Sequence, residues 1–108
     1  MFISALFGSR VKRKAVNFRR LVLEGALIID LRSPAEFRHQ HVLNSINVPL
    51  DALKKELDWL AGQHKVIITC CERGQLSRMA ERYLSQAGVK VYDGGVWRDL
   101  EKKLSVGV

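Results

Sequence analysis

The sequence predicts an α/β fold in which a central parallel sheet is covered by helices on both faces. Three short apolar runs rich in β-branched residues, 26–31, 65–70 and 89–92, have the composition of strands buried on both sides. Stretches with helical apolar spacing separate them, and parallel neighbours need such crossovers, which are right-handed. At 108 residues, 47% hydrophobic and 27% charged, the chain supports one core and is too apolar for a disordered or low-complexity protein.

Taken in order, the first element is a basic amphipathic helix. Val11, Ala15, Phe18 and Val22 share one face, arginines and lysines occupy the other, and Gly25 ends it. Residues 1–20 hold six basic side chains and no acidic one, whereas from residue 21 onward 12 basic side chains meet 11 acidic ones. Most of the formal charge of +7 therefore belongs to this segment. The chain divides into a basic N-terminal segment, 1–20, and a nearly neutral domain, 21–108. The domain's balance argues against a nucleic-acid partner. The segment is read as packing on the domain with its basic face solvated. Its alternative is contact with an anionic membrane surface through residues 1–20, with Phe2, Ile3, Leu6 and Phe7 at the lipid. The apolar start has its positive charges after it, which argues against a signal peptide, and no run approaches the roughly 18 apolar residues of a membrane span.

Strand 26–31 comes next, and residues 45–48, ended by Pro49, form a weaker fourth strand. Leu53, Leu57 and Leu60 then repeat at helical spacing behind Asp51, a candidate N-cap. After strand 65–70, Leu76, Met79, Ala80, Tyr83, Leu84 and Ala87 make a helical stripe that stops at Gly88. Strand 89–92 follows, and Val96, Leu100 and Leu104 recur every four residues in a closing helix. Trp97 reads as a core anchor, and Trp59, beside the leucine stripe, as a partly exposed partner contact. Ligands of such sheets gather beyond the C-terminal strand ends, which directs attention to the loops after residues 31, 70 and 92.

The loop after residue 70 carries the chemistry. Cys71 stands between a buried strand and a helix start, where loop N–H groups and the positive end of the helix dipole favour a thiolate. Arg73 and Arg78 add positive charge, and Gly74 allows successive N–H groups to converge on one anion. Cys70, inside the strand, reads as a small core hydrophobe. Its sharper alternative, a vicinal disulfide that resolves an oxidised Cys71, would need a strained peptide, because adjacent strand residues point to opposite faces. Two adjacent cysteines build no disulfide framework, which suits a reducing, cytoplasmic setting. Asp30 and Arg32 read as a charge-assisted clamp between neighbouring loops, and Glu36 similarly. His39 and His64 have no partners at metal-ligand spacing, so no metal site is expected.

Asp30-Leu31-Arg32-Ser33-Pro34-Ala35-Glu36-Phe37, His41-Val42, Ile46-Asn47-Val48-Pro49, Cys71 to Ser77, Gly88 and Asp93-Gly94-Gly95-Val96-Trp97 together resemble a single-domain rhodanese. The resemblance covers residues 20 to 100 or so. It implies a rhodanese-like fold with a parallel sheet of four or five strands. It also implies an active-site loop in which Cys71 carries the sulfur and Glu72, Arg73, Gly74, Gln75, Leu76 and Ser77 bind the substrate anion. The implied activity is sulfur transfer with no metal or organic cofactor. The donor would be thiosulfate or a persulfide, the acceptor a thiol or cyanide, with a protein as a further donor or acceptor. His41 is structural by the same resemblance, and a general base for Cys71 is its alternative.

Three departures from the family pattern matter. Glu72 stands where a basic residue is common, and its charge opposes the thiolate and repels an anionic donor unless Arg73 offsets it. Leu76 replaces a polar loop residue, and Gln40-His41-Val42-Leu43-Asn44-Ser45 lacks the family's two glycines. Slow turnover with thiosulfate and better function with a persulfide are the expected consequence. The alternative function is a catalytically weak persulfide carrier or protein-binding module on the same scaffold. The related phosphatase loop, Cys-x5-Arg, is not matched: the seventh residue from Cys71 is Ser77, and Arg78 comes one position late.

Overall fold

The computed structural model describes residues 15–105. Strands β1 (Leu27–Asp30), β2 (Ile46–Asn47), β3 (Ile67–Cys71) and β4 (Val91–Val96) are all parallel, in the spatial order β2-β1-β3-β4. Helices α1 (Phe18–Leu23), α2 (Pro34–His39), α3 (Leu57–Gly62), α4 (Gln75–Gln86) and α5 (Trp97–Ser105) connect and cover them. The period of two along β3 divides the core. Ile67 and Cys71 join Ile29, Leu60, Ala80 and Leu84 on one face of the sheet. Ile68 and Cys70 join Ile28, Phe18, Trp97 and Leu100 on the other. The adjacent cysteines therefore belong to opposite cores.

Several elements differ in extent from their sequence signals. Helix α1 begins only at Phe18, because the Asn17 side chain accepts from the Arg20 N–H at 3.0 Å and caps it there. Ala15 lies before the cap and is exposed. Val11, the basic residues 10 and 12–14, and Phe2, Ile3, Leu6 and Phe7 lie outside the described residues. The division drawn at residue 20 falls inside α1, whose buried Phe18 packs with α5 residues. Asp51 caps no helix: it sits in a short 3-10 turn, Leu50–Ala52, and α3 starts only at Leu57. The Leu50 N–H donates to the Leu31 carbonyl at 3.2 Å, which ties this stretch to the exit of β1. Among the described residues no helix is long and apolar enough to cross a membrane.

Apolar periodicity does not indicate α2, because none of its six residues is buried. Its signal is local. The Ser33 side chain and the Glu36 carboxylate cap each other's backbone N–H groups, and Pro34 opens the helix, a pattern legible as Ser-x-x-Glu.

Strand β4 runs on through Asp93, Gly94 and Gly95 to Val96, which pairs with Cys71 and is not the head of the closing helix. Gly94 is required by close approach. A Cβ there would lie 2.6 Å from the Thr69 carbonyl oxygen and 2.8 Å from Ile68 Cγ2. Gly94→Ala is expected to cost about 3 kcal/mol by overpacking the sheet. Gly62→Ala, where a Cβ meets nothing within 4 Å, should cost nothing. Urea unfolding of the two variants checks the contrast.

Candidate active site

The C-terminal end of β3 delivers Cys71 to the rim of the sheet, and only Glu72, Arg73 and Gly74 separate it from α4. Gln75, Leu76 and Ser77, the last residues of the Cys71-to-Ser77 segment, form the first turn of that helix, one residue ahead of the stripe that opens at Leu76. Gly74 adopts a φ of +93°, a left-handed conformation that glycine takes without strain. The chain thereby folds back over the sulfur. The Gly74 N–H donates to Cys71 Sγ at 3.0 Å and the Ser77 N–H does so at 3.3 Å. Both donors aim at the sulfur, the arrangement of an anion-binding cradle.

The cradle is braced from below. The Ser77 hydroxyl donates to the Gly74 carbonyl at 2.9 Å, and the buried Thr69 hydroxyl donates to the Ser77 carbonyl at 2.9 Å. Sequence reasoning did not single out Thr69. Its only signal is a hydroxyl in an otherwise apolar strand.

Cys71 is 1% exposed and lines a cavity of about 380 Å³ together with Leu31, Arg32, Ser33, Glu36, Glu72, Arg73, Gln75 and Leu76. Arg32 is itself buried and committed elsewhere: its Nε and Nη2 hold both Asp30 carboxylate oxygens at 2.8–3.1 Å, and Nη2 reaches the Gln40 carbonyl at 2.7 Å. Asp30 and Arg32 thus form the expected clamp, here between the exit of β1 and the end of α2. Glu36 is engaged in the α2 cap.

Other expected site residues lie apart. His41 does not line the cavity: its ring stacks on Phe37 with centroids 3.8 Å apart, and Nδ1 donates to the Phe37 carbonyl at 2.6 Å. It braces the end of α2 and offers no base to Cys71. Arg78 is exposed on α4 and also lies outside the cavity lining, so of the two arginines expected beside the sulfur only Arg73 borders it. Burial, followed by the nearby Asp30 charge, pushes the Cys70 thiol well up, which keeps it protonated at neutral pH.

Glu72 departs most from expectation. Arg73 is not its partner. Arg98 Nη1 donates to it at 2.8 Å and the Trp97 indole N–H at 3.1 Å, and Arg32 Nη1 stands 3.8 Å away. The hydrogen bonds from Arg98 and then Trp97 hold the Glu72 carboxyl below its usual range. No local signal marks Trp97 or Arg98 as site residues, since they lie 25 and 26 positions away and meet Glu72 only because β3 and β4 are neighbours.

Residues 15–98 match the family model of the Rhodanese-like domain. The tRNA sulfurtransferase of Thermoplasma acidophilum is 31% identical over 94 residues, which cover 86% of this chain. The match spans only 18% of that enzyme's length. Among solved structures, a rhodanese-related protein from Thermoplasma volcanium is similar at 26% identity and a TM-score of 0.64, covering 79% of this chain and 85% of that one. A rhodanese with anions from E. coli is similar at 27% identity and a TM-score of 0.64, covering 69% and 91%.

Proposed function

Because the chain belongs to the rhodanese-like domain family, we propose that it is a sulfurtransferase that carries sulfane sulfur on Cys71. The observation that carries this reading is the pair of N–H groups, from Gly74 and Ser77, converging on Cys71 Sγ in the lining of a cavity. The Cys71 thiolate attacks the outer sulfur of the donor and the donor's S–S bond breaks. Its electron pair leaves with the departing thiolate, or with sulfite when the donor is thiosulfate. Cys71 is left as a persulfide anion, which the same N–H groups suit. An acceptor thiolate or cyanide then attacks the terminal sulfur and Cys71 departs as the thiolate. Both steps are two-electron displacements, so no redox cofactor enters. The donor side needs a reduced Cys71, as in the cytoplasm. Similarity to a tRNA sulfurtransferase supports sulfur transfer as the reaction class, and because it spans 18% of that enzyme it assigns no acceptor.

Intact mass tests the reading. After treatment with an organic persulfide the protein should gain about 32 Da, reversed by a thiol acceptor. No gain with any sulfane donor would end it.

The cavity also bears on the donor. A volume of about 380 Å³, with Leu31 and Leu76 on its wall, exceeds the needs of thiosulfate and offers contact to an organic body. The Leu76 side chain has no donor for the sulfonate group of thiosulfate, and the loss of one hydrogen bond to a charged group corresponds to about tenfold in rate. Sulfur uptake from thiosulfate is therefore expected to be about tenfold or more slower than from a small organic persulfide at equal concentration. Stopped-time mass measurements compare the two.

The 1% exposure of Cys71 favours a second reading, a slow persulfide carrier with the same cysteine. Stoichiometric uptake with negligible turnover distinguishes it from an efficient enzyme.

A further inference from the structure

The residue after Cys71 has the wrong charge for a site that stabilises anions, and its surroundings show what it does there. Glu72 Oε1 accepts from Trp97 Nε1 at 3.1 Å, and Oε2 accepts from Arg98 Nη1 at 2.8 Å. Two guanidinium groups pack on the Trp97 ring, Arg32 at 4.5 Å and Arg98 at 4.8 Å from its centroid. Arg32 is in turn locked to Asp30. One carboxylate thus ties the exit of β3 to the exits of β4 and β1. Just beyond it, the chain must place the Gly74 N–H 3.0 Å from Sγ through a left-handed glycine, which any other anchoring of residue 72 would re-aim. The remaining charged groups at the cavity are not part of this tie: Glu36 is bound in the α2 cap, and Arg73 is exposed.

We propose that Glu72 is a positioning residue, whose anchorage to Trp97 and Arg98 holds the link from Cys71 to α4 so that the Gly74 and Ser77 N–H groups aim at the sulfur. The inference rests on Cys71 being the reactive sulfur. It makes a prediction of opposite sign to the one from charge alone. Removing the Glu72 charge leaves Arg32, Arg73 and Arg98 near the site, so by Coulomb attraction the thiolate would be favoured and Cys71 would react faster. Loss of positioning misaligns two donors to the sulfur and slows it.

The test is the pH profile of Cys71 alkylation by iodoacetamide in the full chain, with Cys71→Ser as the blank for Cys70. Glu72→Ala is expected to alkylate about threefold or more slowly at neutral pH, with its profile displaced to higher pH. Glu72→Gln keeps the side chain's size and one acceptor for either Arg98 or Trp97 without the charge, and is expected to alkylate no faster than the native protein and less than about threefold more slowly. Alkylation faster than native in either variant, or an unchanged profile in folded Glu72→Ala, overturns the proposal. Should Glu72→Ala fail to fold, Glu72→Gln decides alone, since charge alone makes it faster. Alkylation needs no sulfur donor, so a native protein that alkylates normally but takes up no sulfur refutes the proposed function and not the role of Glu72.

Discussion

Cys71→Ser is expected to abolish sulfur uptake and to leave the fold in place. Serine fits the same space, and its oxygen can accept from the Gly74 and Ser77 N–H groups that now bond Sγ. What it lacks is a sulfur nucleophile and any means of holding a sulfane sulfur. Transfer is therefore expected to fall by about three orders of magnitude or more, the scale seen when a covalent nucleophile is removed. The gain of about 32 Da should disappear with it. Cys70→Ala is the matched control. Cys70 faces the opposite core and its thiol is pushed up by burial, so its removal should leave uptake intact. Uptake that survives Cys71→Ser and fails in Cys70→Ala would reverse the assignment of the two cysteines.

Asp30→Ala carries the largest expected loss of stability. Asp30 is fully buried, and Arg32 is 5% exposed. Burial opposes the charge on Arg32, yet the hydrogen bond and charge of Asp30 more than compensate and raise its pKa. Removing the carboxylate leaves a buried guanidinium with the Gln40 carbonyl as its remaining close acceptor besides the more distant Glu72. Breaking one side of a buried pair typically costs about 3 to 5 kcal/mol. For a domain of this size that lowers the thermal midpoint by about 12 °C or more. Asp30→Ala combined with Arg32→Met should recover much of the loss, because no charge is then stranded. A midpoint in Asp30→Ala within a few degrees of native would show that the clamp is idle. The clamp also underlies Trp97, so the single variant should disturb the Cys71 alkylation profile before it unfolds the protein.

Much of the fold was legible because its signals are short-range. Runs 26–31 and 65–70 contain β1 and most of β3, and the stripe from Leu76 to Ala87 matches α4 within a residue or two. The Asp30 and Arg32 clamp could be read because its partners are two residues apart at the exit of β1. Helix α2 escaped an apolar pattern because it buries nothing, although its Ser33-to-Glu36 cap was there to be read. The end of β4 escaped because Gly94 and Gly95 look like a turn. In the structure Gly94 is needed for close packing on Thr69, and only a neighbouring strand makes that necessary.

The active-site loop shows the division most clearly. By itself the sequence determined that a cysteine would leave a buried strand beside a glycine and a helix start, because strand burial, glycine's backbone freedom and helix polarity act over a few residues. It left the charge of Glu72 as an obstacle that Arg73, the nearest cation in the chain, was expected to remove. The tertiary structure gave that task to Arg98 and Trp97, with Arg32 at 3.8 Å, and left Arg73 exposed in the lining of the cavity. The reason is physical. A hydrogen bond forms between groups that are neighbours in space, and the parallel order β2-β1-β3-β4 places the exits of β1 and β4 on either side of residue 72.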